Sequence, residues 1–557
     1  MSAPFNIGEA MSEAVTAHRQ GRLRDAEKIY ARVLKAAPNH FDALNLLGTI
    51  KAQQGHVGEA HRLFAAAVKA NPAAPPALSN LGQALHALRR NAEALEYLDR
   101  ARALAPDDVD ILCQHANVLL SLDRPSDALA EFQAVLAQIP PHAPRHVEAR
   151  INCGLAQAAL GRPEPALAEF DAALALMPGH PAAHYNRGVA LIKLGRYEEA
   201  AAANDAALAA EPGHGNAWLN RGKALAQLNR YDEAIASYGK VLSLKKDHAD
   251  AHFNQAMALL TQGQYQRGFA AYEWRWRRTG MPPQKSRGKP LWLGEYPLAR
   301  KTVLLHGEQG LGDTIQFARY VPVLAAAGAK VVLEVQPELK TLMSRLDGTS
   351  SVIGRGDAPS PFDVHCPLGS LPLALKTELG NVPARVPYLT ADGARLAKWT
   401  AEIGALPAPR VALVWSGNPD HDNDRNRSIA LRRLKPLFEA SAASFISIQR
   451  ELRGDDAEAL AASRITHVGA ELEDFADTAA VLALCDLVIA VDTAAAHLAG
   501  AMGRPVWVLV PFAPDWRWTL SGETTPWYPT ARLFRQTKPD GWDDVIARVG
   551  AAFNRGR

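Results

Sequence analysis

Cysteine is scarce in this chain. Four occur in 557 residues, Cys113, Cys153, Cys366 and Cys485, and no two form a CxxC pair. That spacing supports neither a disulfide framework nor a cysteine-based zinc site, and the four read as reduced thiols, mostly in the core. Long apolar runs are missing too: no window approaches the roughly 18 uninterrupted apolar residues of a membrane-spanning helix. The opening MSAPFNIGEAMSEAVTAHRQ has no basic segment followed by an apolar one, so the chain reads as cytoplasmic, without membrane insertion. Nor is there an excess of charge of one sign. With 61 basic and 58 acidic residues the net charge is +3, which argues against nucleic acid or an anionic membrane as the main partner. The length is too great for a single core, so two or more domains are expected.

What is abundant in the first half is repetition. Prolines recur every 34 residues at Pro38, Pro72, Pro106 and Pro140, then at Pro178 and Pro212 after a four-residue insertion. Twenty-four residues before these prolines, and once more in the next unit, stands a small residue: Ala14, Gly48, Gly82, Ala116, Gly154, Gly188 and Gly222. Twelve residues further on comes an alanine: Ala26, Ala60, Ala94, Ala128, Ala166, Ala200 and Ala234. Small residues at fixed places let two helices approach, and the proline turns the chain into the next unit. The pattern resembles the tetratricopeptide repeat over residues 7 to about 248, with a degenerate eighth unit reaching about 275. An α-solenoid is therefore expected over 1–275, with the extra residues near PPHAPRH (140–146) lengthening one connection.

Two positions before the small residue, successive units carry Asn80, Gln114, Asn152, Asn186, Asn220 and Asn254, although the second unit has Leu46. An amide both donates and accepts, so a row of amides can hold a peptide backbone whatever its side chains. The row resembles the one in the repeats of the O-GlcNAc transferase family, which implies a protein or peptide acceptor held in the repeat groove. The plainer alternative is that these amides satisfy neighbouring helix ends or water.

After EWRWRR (273–278), residues 276–300 are rich in Pro, Gly and Lys and read as a linker with an aromatic anchor. Beyond them, TVLLHG, KVVLEV, SVIG, FDVHC, VALVW, SFISIQ, DLVIAVD and VWVLVP alternate with helical stretches. That alternation predicts parallel sheets with crossover helices, in two α/β lobes at 301–395 and 396–557. The loop HGEQGLGDT (306–314) lacks the lysine and spacing of a P-loop and the third glycine of a dinucleotide fingerprint. It reads as a tight turn followed by a helix beginning just after Asp313, with Asp313 either the helix N-cap or a chemical group.

Residues 301–550 resemble the heptosyltransferase-type glycosyltransferases, especially bacterial relatives fused to tetratricopeptide repeats. The resemblance implies a GT-B fold of two Rossmann-like lobes, the first facing the acceptor and the second the nucleotide-sugar. In that family the aspartate of the GxGD turn is the catalytic base, which carries over to Asp313. The GEQ preceding the turn leaves Glu308 as a competing carboxylate.

In the second lobe a strand ends at Asp492 and a helix opens with Thr493, Ala494 and Ala495. Small residues there leave backbone N–H groups open to an anion. The resemblance implies that this D-T-x-x-x-H segment holds the donor diphosphate through Asp492, Thr493, Ala494 and His497. After VALVW, the loop SGNPDHDNDRNRS offers Ser416, Gly417 and Asn418 to phosphate. Arg427 matches the basic residue that the family uses against the leaving diphosphate, with Arg425 as the alternative. The tryptophans of PFAPDWRW and TPWYP either stack on a ligand or pack the lobes together.

The resulting expectation is an inverting glycosyltransferase that moves a sugar from a nucleotide-sugar to Ser or Thr hydroxyls of a protein acceptor. No DxD pair stands where a metal would be held, so no metal or other cofactor is expected. The architecture is also similar to that of bacterial repeat-containing transferases that modify flagellin. Two rivals are an enzyme acting on a lipid-linked or polysaccharide acceptor and a non-catalytic repeat scaffold.

Overall fold

The computed structural model describes residues 5–280, 288–421, 423–439 and 441–555, so residues 281–287 of the expected linker lie outside it. The chain forms two compact units, Met1–Asn220 and Arg221–Arg557.

The first unit is built of helix pairs: Ile7–Arg19 with Leu23–Ala36, Phe41–Gln53 with Val57–Ala70, Pro75–Ala87 with Asn91–Leu104, Val109–Ser121 with Pro125–Gln138, Pro144–Ala159 with Pro163–Leu176, and Pro181–Leu194 with Tyr197–Ala210. The periodic small residue is where the paired helices touch. A Cβ on Gly48 would stand 2.6 Å from the Phe64 ring, one on Gly82 2.6 Å from Leu98, and one on Gly154 2.4 Å from Phe170. The filler always comes from sixteen positions further on in the same pair. Between the two helices of each pair one residue turns left-handed, at φ of 59 to 79°: Gly21, Gly55, Arg89, Asp123, Gly161 and Gly195. The four-residue insertion near 140–146 goes mainly into the helix Pro144–Ala159, which has 16 residues where Val109–Ser121 has 13. The connection itself therefore gains little, because Pro144 supplies a favourable first helical residue and the chain can begin coiling at once.

The second unit begins within the helix Gly215–Gln227 and continues the repeat with Tyr231–Leu244, Ala249–Thr261 and Tyr265–Tyr272. Two wholly parallel sheets follow. One is ordered β3-β2-β1-β4, with β1 (Thr302–His306), β2 (Lys330–Val335), β3 (Thr349–Gly354) and β4 (Val364–Pro367). The other is ordered β10-β9-β8-β5-β6-β7, with β5 (Arg410–Val414), β6 (Ser444–Ser447), β7 (Thr466–His467), β8 (Leu487–Val491), β9 (Val506–Val510) and β10 (Ala531–Arg535). The central strands β1, β2, β5, β8 and β9 are apolar almost throughout because helices cover both faces. All eight expected strands are present, and β7 and β10 are additional.

In such sheets ligands bind beyond the carboxyl ends of the strands where the order reverses. In the second sheet that point lies between β5 and β8. In the first it lies between β1 and β4, and there it is filled from the repeats. Arg275, fully buried after the last repeat helix, donates to Glu308 beyond β1 at 2.9 Å and to Ser370 beyond β4 at 2.7 Å.

The described part of the expected linker is packed against the first sheet. Leu291 bridges to His365 of β4, and the Trp292 side chain is buried, its Nε1 donating to the Tyr296 carbonyl at 2.8 Å. The C-terminal tryptophans pack as well: Trp516, Trp518 and Trp527 are buried. Trp527 Nε1 donates to the Tyr265 hydroxyl at 2.9 Å, and Trp516 meets Phe269 edge-on at 5.5 Å.

Candidate functional site

The end of β5 is held in place from just beyond the neighbouring strand β6. Gln449 Oε1 accepts the amides of Trp415 and Ser416 at 3.2 and 3.1 Å, while its Nε2 donates to the Ser416 carbonyl at 3.2 Å. The Ser416 hydroxyl is buried without a hydrogen-bond partner among the described residues, which leaves it available to a ligand. Gly417 lies flat against Arg427, since a Cβ there would stand 2.5 Å from the guanidinium. Arg427 Nη1 donates to the Asp492 carbonyl at 3.0 Å and its Nε faces Asp424 at 3.3 Å. It thereby spans the ends of β5 and β8, at the switch point of the second sheet.

At the end of β8 the helix Ala494–Ala501 begins with Thr493 as its extended N-cap. The Thr493 hydroxyl turns back to the Val491 carbonyl at 3.3 Å, so the first helical amides are not capped by its side chain. They point their partial positive charge into the cleft. His497, one turn along, is buried. It stacks on Trp518 at 5.2 Å, with Nδ1 2.9 Å from the Tyr528 hydroxyl and Nε2 3.9 Å from Asp492 Oδ1. Burial, with Arg517, Arg319 and Arg427 nearby, pushes the imidazole well below its ordinary range, so it is neutral at pH 7. Burial, and next the charge of Asp515, push the Asp492 carboxyl up to about 6.

The first lobe contributes the helix Leu311–Phe317. Its N-cap is Gly310, three residues earlier than the sequence led us to expect, which puts Asp313 at the third helical position rather than at the cap. The physical reason is that the Asp313 carboxylate reaches back to accept the Gly310 amide at 3.0 Å, closing the first turn from inside the helix. The helix packs on Ala494–Ala501 through Gly312, where a Cβ would stand 2.9 Å from His497 Cδ2 and 3.5 Å from Ala494 Cα. The other Asp313 oxygen is held by Arg517, which also donates to Asp515 at 2.9 Å and to the Gln316 side chain.

These parts enclose a cleft of about 700 Å³. Its lining includes Asp313 from one lobe and Ser416, Gly417, Asn418, Arg427, Asp492, Thr493, Ala494 and His497 from the other. Arg427 lines it and Arg425 does not. Glu308 is also absent from the lining, for its buried Oε1 accepts from Arg275 and from the Gly369 amide at 3.3 Å. Burial pushes its carboxyl up, opposed by Arg275. Sequence reasoning missed Asp515, Arg517 and an apolar wall of Val414, Ile448, Leu472 and Phe475. The DWRW run marks the neighbourhood of Arg517, but its sequence signal lies in the tryptophans. Among the described residues, no group of three or more His, Cys, Asp or Glu is placed to hold a metal ion.

The amides are half-buried on the first helices of their pairs. Asn80 donates to Asn45 at 3.0 Å, and Gln114 accepts from Ser79 at 2.5 Å. The side chains of Asn152, Asn186 and Asn220 make no hydrogen bond within the described residues, nor does that of Asn254 in the second unit.

The chain is similar to tetratricopeptide-repeat proteins in its first half and to a glycosyltransferase family within its second. Residues 12–55, 47–109, 113–181, 153–215, 185–244 and 219–274 match the tetratricopeptide repeat. Residues 452–539 match glycosyltransferase family 9 (heptosyltransferase), a span that holds Asp492, Thr493, Ala494, His497, Asp515 and Arg517. Protein FlbA of Caulobacter vibrioides is 29% identical over 290 residues, or 47% of this chain and 48% of that protein. The chain thus spans about half the length of the curated relative it matches. Among solved structures, a tetratricopeptide repeat protein from Parabacteroides merdae is 18% identical, with 45% of this chain and 98% of that one covered and a TM-score of 0.38. A TPR protein of Thermus thermophilus is 28% identical, with 34% and 100% covered and a TM-score of 0.29. No helix among the described residues is long and apolar enough to cross a membrane.

Proposed function

We propose that the chain is an inverting GT-B glycosyltransferase of the cytoplasm, moving a sugar from a nucleotide-sugar to a Ser or Thr hydroxyl of a protein held by the amide-bearing helices. The observation that carries the reading is one cleft lined by an acidic helix turn from the first lobe, with a guanidinium and an open helix start from the second. The acceptor oxygen attacks the anomeric carbon as Asp313 takes its proton. The bond from that carbon to the diphosphate oxygen breaks, and its electron pair leaves with the nucleotide diphosphate. Arg427 and the first amides of Ala494–Ala501 stabilise that leaving charge. Attack from the opposite face inverts the anomeric centre. The apolar wall at Val414, Ile448, Leu472 and Phe475 suits the nucleotide base. A flagellin-like protein is the first acceptor to try.

The test is thermal unfolding with UDP, GDP, ADP, CMP and dTDP, on wild type and on Arg427→Ala. Saturation at 100 times the dissociation constant adds about 2.7 kcal/mol, so one nucleotide should raise the transition and the variant should lose that rise. If none does, the donor assignment falls. With a donor in hand, replacing Asn152, Asn186 and Asn220 by Ala should lower transfer to protein while hydrolysis of the donor persists. Both activities should survive EDTA, because arginine and helix amides meet the phosphate charge.

A further inference from the structure

Arg517 is the least explained group in the cleft. The residue is 8% exposed, and its guanidinium carries carboxylates on two edges, Asp515 of its own loop and Asp313 of the other lobe. It also donates to Gln316, one turn beyond Asp313, and lies over the Trp516 ring at 4.3 Å. Asp313 is correspondingly engaged on both oxygens, one by the Gly310 amide and the other by Arg517. A carboxylate whose two oxygens both already accept hydrogen bonds has fewer lone pairs to offer an incoming hydroxyl. Arg427, the other guanidinium at the phosphate end, already faces Asp424 at 3.3 Å. A diphosphate brings at least two negative charges, and a planar guanidinium binds phosphate as readily as carboxylate.

We propose, on the basis of the donor-site reading above, that Arg517 is an exchangeable clamp: it holds Asp313 in the empty cleft and passes to the donor's diphosphate, which frees Asp313 to act as base. The donor itself then activates the group that deprotonates the acceptor, so donor binding precedes productive acceptor binding. Without donor, an acceptor hydroxyl meets a carboxylate that is already occupied. Arg517 is a positioning residue for Asp313 and a ligand for the phosphate.

The prediction is a competition, read by calorimetric titration of inorganic pyrophosphate, UDP, GDP and ADP into the full chain. Arg517→Gln should weaken diphosphate binding. Asp313→Asn should tighten it about tenfold in the wild-type background, because a competitor for Arg517 is gone, and change it less than about twofold in Arg517→Gln. If Asp313→Asn tightens binding equally in both backgrounds, the effect is plain charge repulsion and the clamp is wrong. Arg517→Lys, which keeps the charge, replaces Arg517→Gln in the cycle if the glutamine variant does not fold. There the gain from Asp313→Asn should remain, and its loss would overturn the proposal. If binding depends on Arg427 while the cycle is additive, Arg517 alone is misassigned. If no probe binds the wild type, the donor site fails and the clamp with it.

Discussion

Single residues in this protein are tuned by their neighbours more than by their own chemistry. Asp492 is the clearest case, a carboxyl pushed up to about 6 by burial and by Asp515. Above that pH it is charged and opposes an anionic ligand, whereas below it the proton removes the opposition. Asp492→Asn should therefore bind a nucleoside diphosphate several-fold more tightly than wild type at pH 8 and equally at pH 5. The ligand's own titration cancels in the comparison, and an unchanged ratio across pH would refute the assignment. In the repeats, His115 lies between Glu131 at 2.7 Å and Asp99 at 3.0 Å. Burial opposes its charge, but the hydrogen bond and charge of Glu131, then those of Asp99, outweigh that and raise its pKa. A raised histidine contributes stability that is fully present below its unfolded value, near 6.5, and is lost as pH rises through the folded one. Melting of wild type and His115→Gln should differ most at pH 6 and least at pH 9. Of these two residues the sequence showed one: Asp492 stood at the end of an apolar run before small residues, while His115 had no local mark because its partners sit on other helices.

At the scale of elements, the interface between Leu311–Phe317 and Ala494–Ala501 decides whether the two halves of the cleft meet. Gly312 is required there for closeness, its φ being negative. Gly312→Val should spread the lobes and lower transfer roughly 100-fold, as a misplacement of about 1 Å does, with a small effect on melting. Retained turnover would mean that the two helices do not need this contact. The two sheets were legible because their strands are short β-branched runs between helices. β7 escaped because two residues carry no period, and β10 because the two arginines of ARLFR interrupt the apolar run that marks a buried parallel strand. The helix start at Leu311 escaped for another reason: an aspartate near a helix end reads as a cap, and nothing in the sequence distinguishes the cap position from the third residue reaching back.

At the scale of the molecule, the sequence places a boundary where the repeat pattern fades, near 275, whereas the compact units divide at Asn220. Periodicity records how a segment is built, while compactness records what it touches, and the last repeat helices touch the lobes. Tyr265 and Phe269 pack on Trp516 and Trp527, and Arg275 fills the switch point of the first sheet. A fragment of residues 215–557 should fold and retain donor binding. One of residues 301–557 should aggregate, because it strips aromatic side chains of cover and leaves Glu308 buried without its partner, a loss of about 3–5 kcal/mol from the ion pair alone. Soluble, cooperatively melting protein from the shorter fragment would contradict this. The glycine contacts of the first unit have the opposite implication. Because Gly48, Gly82 and Gly154 each meet a side chain sixteen positions on inside their own pair, every pair brings both halves of its seam. Gene duplication or deletion in steps of 34 residues can therefore lengthen or shorten the first unit while every pair keeps a complete seam of its own.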